Sequence, residues 1–230
     1  MKFCDVSFWQ GKINFDIMKT QTDYVILRAG QGSFVDTEFI RNRTECERVG
    51  LRWGLYWFYD DRYSPRAQAE TLLRLFANGE PRPYEIFADW ESTYKGAYSG
   101  LNNVVAFMQY IERFAPWAKL GMYTGYYWFE ENTNATVHAS QFAYLKTKPL
   151  WLAWYTSDHT PADVEQVQIP KPWTEMTYWQ FGTPPLGKQY GVESKEIDMN
   201  LVMGLPPTPE TKAKRLLATF GGQTKEYHEI

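Results

Sequence analysis

Asp89 and Glu91 stand one residue apart where the apolar run of residues 87–92 ends. In an extended strand, residues i and i+2 point to the same face, so these carboxylates project together while Ala88 and Trp90 face the other way. Two like charges held this close split their pKa values, so that one carboxylic acid stays protonated while its neighbour stays ionised. The pair therefore fits acid catalysis, although a short Asp-x-Glu at a strand end also occurs in proteins that catalyse nothing.

The chain around this pair alternates between apolar strands and amphipathic helices. This alternation predicts an α/β fold with a parallel sheet and right-handed crossovers, and eight strands predict closure into an irregular TIM-like barrel. Helices are missing in the C-terminal third, because residues 156–173 are rich in proline and show no helical period. The predicted strands cover residues 3–9, 24–30, 53–59, 86–91, 120–125, 150–155, 176–181 and 196–200, and the predicted helices cover residues 36–50, 64–78, 101–115 and 135–145.

The domain organisation is predicted from a proline-rich break near the end of the chain. Residues 1–205 form the predicted barrel, and the prolines within residues 206–209 interrupt the pattern of strands and helices. Residues 206–230 are interpreted as an appended helix or a mobile tail.

Two further carboxylates are expected beside Asp89 and Glu91. In a barrel of parallel strands, the reactive groups lie at the C-terminal ends of the strands. Asp5 belongs to the first predicted strand and Asp198 to the last, and these two strands are neighbours once the barrel closes. We therefore expect Asp5 and Asp198 to lie next to each other, with the other pair across the opening.

Aromatic residues make up 17% of the chain, with 10 Trp and 16 Tyr, and many of them are expected to fill the core. Tyr and Trp also offer flat apolar faces with a polar handle, which suits sugar rings. A cleft with carboxylates at its base and aromatic walls would bind an extended carbohydrate. The residues in or just past the strands that we predict to bind substrate are Trp9, Tyr56, Phe58, Tyr123, Trp151, Tyr155 and Trp179.

The composition argues against several other classes of function. The formal charge of -3 comes from 24 basic and 27 acidic residues that are well mixed, so the sequence lacks the basic stripe that nucleic-acid binding needs. No stretch has the length and apolarity of a membrane span, and no membrane insertion is expected. Cys4 and Cys46 imply no disulfide framework, and the three histidines lack metal-ligand spacing, so we expect no metal and no cofactor.

Eight motifs follow one another along about residues 1–204. In chain order they are Asp5-Val6-Ser7 with Trp9-Gln10-Gly11, Arg28-Ala29-Gly30, residues 54–58, Asp89-Trp90-Glu91, Tyr123-Thr124-Gly125, residues 151–155, Trp179-Gln180 and residues 197–200. Their content and their order resemble the strand motifs of glycoside hydrolase family 25, the lysozymes that act as N-acetylmuramidases.

This resemblance implies a flattened, irregular β/α barrel that hydrolyses the β-1,4 bond between N-acetylmuramic acid and N-acetylglucosamine in peptidoglycan. Glu91 would be the general acid that protonates the glycosidic oxygen, and Asp89 would stabilise the oxazolinium or oxocarbenium-like species beside it. Asp5 and Asp198 would complete the acidic floor. The anomeric carbon would be attacked by the 2-acetamido group of the substrate or directly by water or a carboxylate, and the sequence is compatible with each route.

The competing interpretation is a non-catalytic carbohydrate-binding or virion structural module built on the same barrel. Such a module would be expected to have lost its acid, and Glu91 is present. The sequence shows no apolar leader, so we expect synthesis in the cytoplasm and action on the cell wall, as a phage endolysin or virion lysin, or else secretion with a leader removed. The protein is expected to be a monomer whose partner is bacterial peptidoglycan.

Overall fold

The computed structural model describes residues 1–161 and 164–203, so the predicted tail at residues 206–230 lies outside the described residues. The strands in this part of the chain are β1 (Lys2–Val6), β2 (Tyr24–Gln31), β3 (Phe34–Val35), β4 (Arg52–Phe58), β5 (Ile86–Asp89), β6 (Leu120–Gly125), β7 (Leu150–Ala153), β8 (Tyr178–Gly182) and β9 (Asp198–Val202). The helices are α1 (Phe15–Gln21), α2 (Phe39–Val49), α3 (Pro65–Arg74), α4 (Leu101–Phe114), α5 (Tyr126–Asn132) and α6 (Ala139–Leu145).

Eight strands close into a barrel in the order β1-β2-β4-β5-β6-β7-β8-β9, and β9 pairs with β1 to complete the ring. The predicted irregular α/β barrel is thereby confirmed, and the short β3 is a hairpin extension of β2. The expectation of a wholly parallel sheet is wrong at the last strand, because β9 runs antiparallel to both of its neighbours. The connection through residues 183–197 contains no helix, and without a crossover a following strand pairs antiparallel.

Side chains alternate between the inside and the outside of the barrel, as the two-residue period of a strand requires. On β4, Leu55 and Trp57 belong to the main core outside the barrel, whereas Tyr56 packs against the cluster inside it. Most of the interior is therefore a packed core, and polar inward-facing groups gather near its two ends. The interior cluster is Phe3, Tyr24, Ile26, Phe87, Tyr123, Trp151 and Tyr178.

The helices begin and end at local signals in the sequence. Ser64 caps α3 by accepting a hydrogen bond from the backbone N–H of Ala67, with Pro65 in the first turn. Gly50 ends α2 in the left-handed conformation that glycine adopts without strain. Helices α1 and α5, of seven residues each, were not predicted. None of the described helices is long and apolar enough to cross a membrane.

Several strands end earlier than the apolar runs that predicted them. The first strand ends at Val6, and residues Phe8–Gln10 form a single 3-10 turn that the Ser7 side chain caps. Glu91 and Tyr155 likewise lie just after β5 and β7 rather than inside them. These residues occupy the loops at the carboxyl ends of the strands, which is the barrel end where active sites of this architecture form.

Candidate active site

A cavity of about 140 Å³ lies at the barrel end where the parallel strands finish. Strand pairing brings its acidic groups together, because Asp5 lies opposite Asp198 across β1 and β9 while Asp89 lies opposite Tyr123 across β5 and β6. The four carboxylates thus share one rim, as their positions in the sequence predicted. The cavity is lined by Asp5, Tyr56, Asp89, Glu91, Tyr123, Trp151, Tyr155, Gln180 and Asp198.

A buried hydrogen-bond network fixes Asp5 at the bottom of this cavity. Its Oδ2 accepts hydrogen bonds from the side-chain amides of Asn200, at 2.7 Å, and Gln180, at 3.0 Å. Asn200 in turn accepts a hydrogen bond from the Trp151 indole N–H at 2.7 Å, and Gln180 accepts one from the Tyr123 hydroxyl at 2.8 Å. The orientation of the Asp5 carboxylate is therefore set by neighbours that are themselves held in place.

Asp89 and Glu91 differ in both exposure and partners. Asp89 is only 3% exposed, and its Oδ1 has no hydrogen-bond partner among the residues that the structure describes. Glu91 is exposed as a residue, although its side chain lines the same cavity. Ala88 and Trp90 point into the main core behind the strand, so the predicted alternation along this segment is confirmed.

The pKa of each of the four carboxyls is raised. Burial raises the pKa of Asp5 and then the charge of Asp198 does so, against hydrogen bonds from its amide partners. For Asp89, burial raises the pKa, Glu91 raises it further, and Arg28 opposes both. Protein atoms crowded around the Glu91 carboxyl raise its pKa although the residue is exposed, and Tyr123 opposes this.

Asp198 lies at the cavity mouth and is only partly buried. Desolvation raises its pKa to about 6, against the hydrogen bond from Tyr155. The Tyr155 hydroxyl lies 3.3 Å from Oδ1 of Asp198 and 3.0 Å from Oε1 of Gln180. The cluster can therefore hold protons at pH values where isolated carboxylic acids are ionised, which is what a general acid requires.

Arg28 places a positive charge next to this acidic cluster. Its guanidinium is stacked among three rings, 5.6 Å from the centroid of Phe8, 5.7 Å from that of Phe34 and 5.8 Å from that of Phe58. One guanidinium nitrogen donates to Gln31, whereas Nε has no partner among the described residues. The charge of Arg28 lowers the pKa of both Asp89 and Glu91, against the larger effect of burial.

Not all of the aromatic residues predicted to bind substrate line the cavity. Tyr56, Tyr123, Trp151 and Tyr155 line the cavity, although Trp151 is nearly inaccessible at 1% exposure. Phe58 lies against Arg28 at the rim, and Trp9, which is 72% exposed, packs on Phe8.

The prediction for Trp179 is wrong. Its side chain is fully buried in the core between barrel and helices, and its indole N–H donates to the carbonyl of Trp154 at 2.8 Å. On β8 the inward positions are Tyr178 and Gln180, so the residue between them must face outward.

Sequence reasoning missed three polar residues of the site: Arg28, Gln180 and Asn200. All three belong to the eight sequence motifs, but neither an amide nor a lone arginine inside a strand indicates an acid site by its residue type. The signal was present, since Asn200 is two residues after Asp198 on one strand and so shares its face. Within residues 1–161 and 164–203, no group of three His, Cys, Asp or Glu side chains is arranged to hold a metal ion.

A second depression of about 350 Å³ lies near the start of β4, at the opposite end of the barrel. Its lining includes Arg52, Tyr84 and Glu47, and the Glu47 carboxylate accepts a hydrogen bond from the Trp53 indole N–H at 2.6 Å. It presents no pair of carboxylates among its described lining residues. The acidic cavity is therefore the candidate active site.

Comparisons with known proteins agree on the architecture. The fold is similar to the catalytic domain of endolysin ply40 from bacteriophage P40 of Listeria monocytogenes, with a TM-score of 0.69 and 19% identity over 93% of this chain and 96% of that chain. It is similar to a lysozyme from Streptomyces coelicolor, with a TM-score of 0.68 and 23% identity over 90% of this chain and 93% of that chain. It is also similar to a muramidase from Trichobolus zukalii, with a TM-score of 0.63 and 24% identity over 90% and 95%.

At these identities the structural similarities concern the fold alone. No curated protein matches the sequence significantly. The family model for glycosyl hydrolases family 25 matches residues 4–185, which is most of the chain and includes three of the four clustered carboxylates. The chain therefore belongs to glycosyl hydrolases family 25.

Proposed function

We propose that this glycoside hydrolase cleaves the β-1,4 bond between N-acetylmuramic acid and N-acetylglucosamine in peptidoglycan. Glu91 is the general acid and Asp89 is the carboxylate that stabilises positive charge. The observation that carries the proposal is the contrast within this pair, since Asp89 is buried with one oxygen unpaired among the described residues while Glu91 is exposed at the mouth. The family membership and the similarity of the fold to lysozymes support the choice of peptidoglycan.

The proposed step transfers a proton from the Glu91 carboxyl to the glycosidic oxygen as the bond to the anomeric carbon breaks. A raised pKa suits this role, because the acid must still carry its proton near neutral pH. The positive charge that develops on the sugar ring then faces Asp89, whose unpaired oxygen gains a partner that the resting site does not provide. Stabilising a charge that appears only in the transition state accelerates the reaction rather than merely binding the substrate.

Asp5 and Asp198 form the remainder of the acidic floor and raise the local negative potential. Asp5 is hydrogen-bonded to Asn200 and Gln180, so its carboxyl keeps a fixed orientation. Asp198 is more accessible and titrates near the working pH range, with a pKa of about 6. The sugar cation is captured by the 2-acetamido oxygen of the substrate, by a carboxylate or by water. The first two routes retain the anomeric configuration, whereas a single attack by water inverts it.

The decisive experiment compares the parent with Glu91→Gln on purified peptidoglycan, by turbidity clearing and by zymogram. Loss of a general acid reduces the rate by about 10²–10⁴-fold. Glu175→Gln is the matched control, because Glu175 is an exposed carboxylate ahead of β8 at the other end of the barrel, and it should clear the wall at the parental rate. Labelling of the new reducing ends should identify N-acetylmuramic acid.

The non-catalytic carbohydrate-binding or virion structural module makes the opposite prediction. In that case the parent would generate no new reducing ends, and Glu91→Gln would be indistinguishable from it. Reducing ends that carry N-acetylglucosamine would instead reassign the cleaved bond and contradict the muramidase proposal.

A further inference from the structure

Beyond Trp90, the loop between β5 and α4 is tied down by hydrogen bonds although it buries none of its residues. Every residue from 91 to 100 is exposed or half-buried. A loop with this composition is ordinarily mobile, because it buries too little surface to offset its conformational entropy. The loop is instead bonded to the neighbouring loop, where the backbone N–H of Tyr98 donates to the carbonyl of Asp61 at 2.9 Å and one buried side chain accepts several further hydrogen bonds.

That side chain is Asp61, which is 3% exposed. Its Oδ1 accepts hydrogen bonds from the backbone N–H groups of Tyr94, at 3.1 Å, and Gly96, at 3.2 Å, and its Oδ2 accepts one from the Thr93 hydroxyl. A Cβ on Gly96 would lie 2.2 Å from the Asp61 carbonyl oxygen, so no larger residue fits there. Lys95, between these anchor points, has a φ of 57°, a strained value for a residue with a side chain.

The result of this tethering is the fixed placement of Tyr94. Its hydroxyl accepts a hydrogen bond from the Gln31 side-chain amide at 3.0 Å, and the Arg62 guanidinium lies 3.9 Å from its ring centroid. Arg62 is itself held by a salt bridge to Asp60 at 2.6 Å. Even so, 46% of Tyr94 remains exposed, so a well-ordered aromatic ring is presented to solvent.

Tyr94 stands at the edge of the acidic cavity. Its partner Gln31 is paired across the sheet with Phe58, and Phe58 is paired with Asp89. Neighbouring strands are about 4.8 Å apart, so Gln31 lies roughly 10 Å from Asp89 along the rim.

Two other exposed rings accompany Tyr94 on this side of the cavity. Phe34, which is 46% exposed, stacks on Arg28, and Tyr63, which is 39% exposed, packs against the turn at Gly32. We call Phe34, Tyr63 and Tyr94 the aromatic shelf. It continues the candidate active site along one direction of the rim.

We propose that the aromatic shelf is a subsite for the glycan strand, in which a sugar ring one or two units away from the cleaved bond stacks on Tyr94. This inference depends on the proposed function, since it requires a glycan across the acidic cavity. The occupant is a sugar because the shelf combines flat apolar rings with the half-exposed guanidinium of Arg62 beside Tyr94, which together match the faces and hydroxyls of a pyranose. A ring already fixed before binding loses little entropy when it is covered.

The experiment measures kcat and KM for the parent and Tyr94→Ala on peptide-free peptidoglycan strands of two and of four disaccharide units. Loss of one aromatic stacking contact should lower kcat/KM on the longer strand by about tenfold, mainly through KM. The shorter strand, which does not reach the shelf in every productive register, should be affected less. Tyr94→Phe should keep most of the parental value, because it retains the ring.

Tyr84→Ala is the matched control. Tyr84 is 47% exposed and also stacks on an arginine, 4.4 Å from Arg52, but it lies at the opposite end of the barrel. It should leave the chain-length dependence unchanged. The proposal is overturned if Tyr94→Ala equals the parent on both strands, or if both strands lose activity equally.

A binding measurement separates this proposal from the proposed function. Calorimetry of Glu91→Gln with the longer strand, with and without Tyr94→Ala, tests the shelf without turnover. If the parent cleaves no glycan but Tyr94→Ala still weakens binding of the longer strand about tenfold, the proposed reaction is contradicted while the proposed subsite is supported. If the parent cleaves but this affinity does not change, the subsite fails alone.

Discussion

Both ends of the barrel interior contain buried carboxylates, but the groups that surround these carboxylates differ between the two ends. At the closed end, ahead of β5, Glu85 accepts hydrogen bonds from the hydroxyls of Tyr24, at 2.9 Å, and Tyr178. The ammonium group of Lys119 lies 3.2 Å from its other oxygen, an ion pair without hydrogen-bond geometry. Glu85 thus has donors and a counter-ion of its own.

At the open end, the charge of Arg28 opposes the raised pKa of Asp89 and Glu91, but Arg28 makes no salt bridge within 4.0 Å to any carboxylate among the described residues. Asp89 keeps one oxygen unpaired among the same residues. Such an arrangement opposes folding, and proteins retain it where chemistry requires it. The comparison shows that burial of an acid does not by itself mark a functional group, and we expect the carboxylates without a close counter-ion to be those that take part in the proposed reaction.

The largest expected effect is that of Asp89→Asn at the open end. In the proposed mechanism Asp89 faces the sugar cation, so removal of its charge should lower kcat by about 10²–10³-fold. Because the substitution also removes repulsion within the cluster, the free energy of unfolding should rise by about 1 kcal/mol. Peptidoglycan turnover and urea unfolding at pH 7 measure the two quantities. A destabilised Asp89→Asn variant would contradict the view that this end opposes folding.

Glu85→Ala should give the converse result at the closed end. It leaves the hydroxyls of Tyr24 and Tyr178 without their acceptor in the barrel interior, at a cost of about 1–3 kcal/mol for each buried group. The free energy of unfolding should therefore fall by about 3 kcal/mol, while kcat at low temperature stays within about twofold of the parent. Glu175→Ala serves as the surface control for stability. A large loss of kcat in a folded Glu85→Ala protein would show that activity requires Glu85, and it would contradict the proposed difference between the two ends.

Asp198→Asn should change how stability depends on pH. The folded-state pKa of Asp198 is raised from 3.8 to about 6, so the folded protein binds this proton more tightly than the unfolded chain does. The contribution is therefore present at low pH and is lost as pH rises from about 4 to about 6. Relative to the parent, the variant should gain stability across this window and then level off. Urea unfolding at several pH values tests the sign, and a gain confined to pH above 7 would contradict it.

The smallest effect is expected for Tyr155→Phe, which removes the hydroxyl beside Asp198 and leaves the ring. Because that hydroxyl lowers the pKa of Asp198, its loss should shift the pH window of the preceding measurement upward by a fraction of a pH unit. Tyr127→Phe is the control, since Tyr127 is 67% exposed. If the pH window is unchanged in Tyr155→Phe, the Tyr155 hydroxyl does not influence the pKa of Asp198.

Much of this site could be predicted, because the sequence indicates the order of the strands and which residues of each strand share a face. The spacing of Asp89 and Glu91 placed both on one face, and the barrel closure placed Asp5 beside Asp198. The direction of β9 could not be predicted, because it depends on whether a crossover helix forms in the preceding connection. Asp198 nevertheless reaches the correct rim, since the start of an antiparallel strand lies beside the ends of its neighbours.

The assignments that failed depended on contacts between elements distant in sequence. Trp179 and Tyr178 are equally aromatic neighbours, and only the register of β8 against β7 decides which one faces the interior. Arg28 was overlooked because a charged residue in a buried strand has no local signature for the three rings that enclose it. The aromatic shelf depends on Asp61, whose role as an anchor for a distant loop is likewise invisible in the spacing of residues.

The antiparallel β9 has a consequence for how the enzyme can be joined to other molecules. The strand starts at the acidic rim and runs back to the closed end, where the N–H of Val202 donates to the carbonyl of Met1 at 2.9 Å. Met1 and Val202 therefore lie together at the barrel end opposite the acidic cavity. A reporter or an affinity handle fused ahead of Met1 would therefore start at the barrel end away from the acidic cavity.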